Sequence, residues 1–77
     1  MQIIERAEII GHSFGDNNVI VFTNQFTEEE ISVKNPKGFE LEIGKVYFLT
    51  VDSKLNEIAS AEVVSIGAMA IENVMVN

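Results

Sequence analysis

Residues 31–52, ISVKNPKGFELEIGKVYFLTVD, constrain this chain more than any other part of it. Ile31 and Val33 alternate with Ser32 and Lys34, Phe39, Leu41 and Ile43 alternate with Glu40 and Glu42, and Asn35-Pro36-Lys37-Gly38 stands between the two runs. A period of two places apolar side chains on one face of an extended chain, while Pro fixes one φ and Gly opens another. A strand, a turn and a short strand or extended packed loop are therefore expected in that order. Gly44-Lys45 then opens residues 46–51, where Tyr47, Leu49 and Val51 share one face and Val46, Phe48 and Thr50 the other. This is the strongest strand signal in the sequence.

The rest of the chain repeats the theme with weaker signals. In residues 1–10, Ile3, Ala7 and Ile9 alternate with Arg6 and Glu8, which predicts a strand with Ile3, Ala7 and Ile9 inward and Ile4 and Ile10 outward. Gly11 to Asn18 is dense in turn formers, and Val19, Ile20, Val21 and Phe22 make a β-branched run apolar on both faces, the mark of a covered strand. Thr27 and Glu30 fit the spacing of a capping box, which allows at most one helical turn. Residues 52–56 read as a polar loop and residues 61–66 as a further strand stopped by Gly67. Residues 68–77 fit helical and strand periods alike, and their shortness and lack of a cap favour strand.

Several short strands at regular spacing point to an all-β domain that closes on itself, since closure removes unpaired edges. The expectation is one domain over residues 1–77, a small SH3-like or OB-like antiparallel barrel or roll of five to six strands. With 77 residues and no cysteine, its stability must come from one small core or from a partner subunit. Apolar residues make up 47% of the chain, more than so small a core readily hides, so a homo-oligomer, a dimer or higher, is expected.

The net charge of −7 argues against direct nucleic-acid binding, because Arg6, Lys34, Lys37, Lys45 and Lys54 are scattered rather than clustered. It favours a partner with a basic surface and disfavours anionic membranes. No apolar run approaches membrane-spanning length and charge interrupts the N-terminal run at Glu5 and Arg6, so a soluble, cytoplasmic protein is expected.

The pattern N-P-x-x-F-x4-G-K-x-Y-x-L-x-V, formed by Asn35, Pro36, Phe39, Gly44, Lys45, Tyr47, Leu49 and Val51, resembles small acidic bacteriophage β-barrel accessory proteins over residues 1–52. The resemblance implies a phage-encoded protein that acts in the host cytoplasm, some of whose relatives in lifestyle block host defence. It carries over no catalytic residue.

Candidate chemistry is thin. Gly11-His12-Ser13-Phe14-Gly15 is a literal nucleophile-elbow string, yet that motif requires a strand-to-helix turn and a histidine later in the chain, and His12 is the only histidine. Asp16, Asn17 and Asn18 offer oxygen atoms without the spacing of a calcium loop. No enzyme, cofactor or metal is expected. Glu28, Glu29, Glu30, Glu40 and Glu42 are the candidate acidic patch for a basic protein that the chain would occlude. The alternative is an oligomeric sponge for a nucleotide-like ligand held by Lys34, Lys37, Lys45 and Tyr47. A structural or decoration role in a virion is a third possibility.

Overall fold

The computed structural model describes residues 1–13 and 18–64. Five strands, β1 (Gln2–Ser13), β2 (Val19–Asn24), β3 (Glu30–Lys34), β4 (Val46–Asp52) and β5 (Glu57–Val63), form one sheet in the order β1-β2-β3-β5-β4. Pairing of β4 with β1 closes it into a barrel. The expected all-β barrel is therefore present, in the OB-like rather than the SH3-like arrangement. The sheet is mixed, not antiparallel throughout, because β3 meets β5 in parallel at Lys34 and Glu57. That departure follows from the chain path: β4 and β5 form a hairpin whose second strand re-enters beside the end of β3.

β1 makes closure possible by serving two neighbours. Its first half pairs with β4 from Gln2 to Glu8, and its second half with β2 from Ala7 to Ser13. Two irregularities bend it, one between Ile4 and Ala7 and one between Ile9 and Gly11, each inserting an extra residue and increasing local twist. The first also shifts the side-chain phase by one. Ile4 is 2% exposed and Ile3 59%, the reverse of the expected faces, while Ala7 and Ile9 are buried as expected.

Ile20 and Phe22 of β2, Val33 of β3, Tyr47, Leu49 and Val51 of β4 and Ile58 of β5 fill the interior with Ile4, Ala7 and Ile9. Fully burying each large apolar side chain stabilises the barrel by roughly 1.5–3 kcal/mol, so this small set supplies most of the driving force. The interior of β4 matches its sequence pattern residue for residue. Its outer positions, Val46, Phe48 and Thr50, are half-buried or exposed.

Two further expectations are corrected. No helical turn follows Thr27: its hydroxyl accepts from the Glu29 backbone N–H at 3.3 Å, and Glu30 is already the first residue of β3. Glu28 takes φ of 64° and its N–H donates to the Asn24 carbonyl at 2.7 Å, so a tight reversal replaces the capped helix. The last described strand starts at Glu57 and not at residue 61. Asp52 Oδ1 accepts from the N–H groups of Lys54 and Leu55, and Asn56 takes φ of 56°, which returns the chain to pairing at once, Asp52 against Glu57. The expected strand at residues 68–77 lies outside the described residues.

Candidate functional site

The chain between β3 and β4 is where this barrel departs from regular structure. Residues 35–45 contain no strand and no helix, yet Leu41 in their middle is 3% exposed and Phe39 packs against the interior. An extended loop with one apolar face in the core is what the Phe39, Leu41 and Ile43 alternation delivers, although Ile43 ends up exposed.

Asn35 organises the start of this loop. Its side chain is buried at 4% exposure and satisfied in both directions, Nδ2 donating to the Phe39 carbonyl at 2.8 Å and Oδ1 accepting from the Phe39 N–H at 3.1 Å. Its own backbone N–H donates to the Asn18 carbonyl at 2.9 Å, which extends the β2–β3 ladder by one step. Gly38 completes the reversal with φ of 72° and donates to the Asn35 carbonyl.

The far end of the loop is fixed as firmly. Tyr47 is buried and its hydroxyl accepts from the Glu42 N–H at 2.9 Å. Gly44, at φ of 92°, donates to the Ile9 carbonyl at 2.8 Å, and Ile9 donates back to the Lys45 carbonyl at 3.0 Å, so the Gly-Lys step clamps the loop onto the bend of β1. A positive φ rather than crowding is what calls for glycine there, since an added Cβ would meet nothing within 4 Å.

Between this loop, the end of β1 and the start of β2 lies a groove of about 860 Å³. Val19, Ile20, Phe39, Leu41 and Ile43 give it an apolar wall, and His12, Ser13, Asn18 and Asn35 line it with polar groups. Among the described residues its charged lining, His12 aside, is Glu40 and Glu42, with no lysine or arginine. Glu42 shares its charge with Lys45 at 3.3 Å in an exposed pair, whereas Glu40 has no ion pair among the described residues. A concave, largely apolar surface with negative charge at its rim is suited to an apolar segment carrying a cation.

The structure divides the predicted acidic patch into two. Glu40 and Glu42 stand at the groove, while Glu28 and Glu29 in the turn and Glu30 at the start of β3 lie at the opposite end of the β2–β3 hairpin. Four strand steps separate the Thr23–Glu30 pair from the Val19–Lys34 pair, roughly 13 Å. Exposed Phe26 sits beside the second acidic group. The predicted lysine set does not line the groove: Lys34 ends β3, Lys37 sits in the exposed turn, Lys45 pairs with Glu42, and Tyr47 is spent on the loop.

His12 and Ser13 are the last residues of β1, paired with Ile20 and Val19, on a strand rather than a strand-to-helix turn. Phe14, Gly15, Asp16 and Asn17 lie outside the described residues. Among the described residues no three His, Cys, Asp or Glu side chains are placed to hold a metal ion, and no helix is long and apolar enough to cross a membrane. The groove itself was not legible beforehand, although Asn35 carried a signal: an Asn before Pro in a turn whose side chain has its own backbone to bind. Compared with protein-family models, curated proteins and solved structures, the chain matches none.

Proposed function

We propose that this protein is a non-enzymatic acidic binding module that seats a basic, partly apolar protein segment in the groove between β1, β2 and the β3–β4 loop. The observation that carries this reading is the groove's lining, an apolar wall with Glu40 and Glu42 at its rim and no lysine or arginine among the described residues. Apolar contact supplies the area of a stable complex, and the carboxylates set the sign of charge it accepts. The loop that forms the wall is held at Asn35, Leu41, Glu42 and Gly44, so little ordering cost is left for the moment of binding. Occluding a basic surface on a host protein is the specific form that the resemblance to phage accessory proteins supports.

Fluorescence anisotropy with a labelled peptide of alternating lysine and leucine, beside a labelled oligothymidylate, tests the reading. At about 0.15 M salt, where charges are screened beyond about 8 Å, Glu40→Gln with Glu42→Gln weakens peptide binding about five- to tenfold. Neutralising Glu28, Glu29 and Glu30 together changes it by less than about twofold, because they lie beyond that distance. Tighter binding of the oligonucleotide, or peptide binding indifferent to Glu40 and Glu42, overturns the proposal.

A further inference from the structure

β3 stops at Lys34 where β5 starts at Glu57, so the two strands overlap by a single pair, and the remainder of β5, Ile58 to Val63, pairs with β4 on one side and has no strand on the other among the described residues. The Val64 N–H donates to the Val46 carbonyl at 2.9 Å. In an antiparallel ladder hydrogen-bonded and non-bonded pairs alternate, so Glu62 and Ser60 direct their backbone groups at β4 while Ala61 and Val63 direct theirs away from it. Among the described residues, the backbone groups of Ala61 and Val63 therefore form an open hydrogen-bonding edge.

The edge is only partly blunted, by the carboxylates of Glu57 and Glu62 and by a bulge at Ala59, which has no counterpart between Thr50 and Val51. Proline and lysine, which natural edges use to discourage pairing, are missing from Glu57–Val63, and its middle residues Ala59, Ser60 and Ala61 are small and uncharged. We propose that the β5 edge joins a second copy of this chain, β5 against β5 in antiparallel register about a two-fold axis at Ala61. Such an interface is isologous, each copy offering the same residues to the other. In that register Ala61 bonds Ala61 of the second copy, Val63 faces Ala59, and Glu62 faces Ser60, so no carboxylate opposes a carboxylate. The charge pattern of the strand is thus compatible with its own copy despite a chain charge of −7.

Apolar area adjoins the edge on both sides of the axis. Val63 is 57% exposed at its end, and Phe48, paired with Glu62, and Ile3, paired with Thr50, are exposed on the outer face of the strands behind it. A continuous sheet across two copies brings these residues toward the interface. The inference stands apart from the groove, none of whose lining residues belongs to β5.

Analytical ultracentrifugation of the full chain up to about 1 mM, the weak end of specific association, reads the outcome directly. Expected is a species of twice the 8.5 kDa chain mass, and Ala61→Pro returns it to one chain mass. Because the Ala61 N–H points away from β4, this proline removes the intermolecular bond and leaves the β4–β5 ladder intact, which an unchanged circular-dichroism spectrum verifies. Ser60→Glu, which sets a carboxylate opposite Glu62 of the second copy on the exposed face, dissociates the dimer without touching the backbone and serves if the proline variant fails to fold. A single-chain mass at every concentration overturns the proposal, whether hydrogen exchange shows the Ala61 and Val63 amides protected within one chain or open to solvent. A dimer that survives both substitutions overturns it as well.

Discussion

Asn35 shows how one polar side chain sets a functional surface. Buried inside the start of a loop, it replaces the hydrogen bonds that strand pairing no longer provides for Phe39, and so lets the chain leave β3 without orphaned backbone groups. Asn35→Ala removes both partners of the half-buried Phe39 backbone at a cost of about 2 kcal/mol, which lowers the melting temperature of a domain this size by roughly 10 °C. Asn35→Asp keeps the acceptor but loses the donor, and falls between the two in thermal melting. Equal stability of all three forms would show that the Phe39 backbone has other partners. The sequence marks Asn35 as a turn residue, but whether an Asn side chain faces water or its own backbone depends on burial, which no spacing encodes.

Element by element, legibility follows how regular each strand is. β4 was readable throughout because an unbroken period of two survives from Tyr47 to Val51, each inward residue meeting the interior. β1 was readable as a strand but not in its faces, because a bend at residues 5–6 moves the apolar set from Ile3 to Ile4 while leaving Ala7 and Ile9 in place. Bulges answer to closure of the whole barrel, and the local pattern does not contain them. Urea denaturation separates the two phases: Ile4→Ala costs about 3 kcal/mol and Ile3→Ala less than about 0.5 kcal/mol. The opposite ranking would mean that β1 runs unbent. β5 begins four residues before its apolar pattern shows, because Glu57-Ile58-Ala59-Ser60 carries only one large apolar residue and the tight turn that starts the strand rests on a positive φ at Asn56.

At the scale of the whole molecule, charge and topology divide the work. A barrel closed around one small interior leaves most of its acids on the outside, and their placement decides what they can do. The sequence displayed an acidic character and a barrel, but it grouped five glutamates that the β2–β3 hairpin holds apart, with two at a concave apolar surface and three at the hairpin's far end. Only folding reveals that grouping, since it depends on where a loop docks. The groove is the feature to which the proposed activity reduces. Titrating uniformly 15N-labelled protein with the lysine–leucine peptide and following amide shifts tests it most directly: saturable changes are expected at Val19, Phe39, Glu40 and Leu41. Changes confined to Phe26 and Glu28 to Glu30, or none at all, would contradict it.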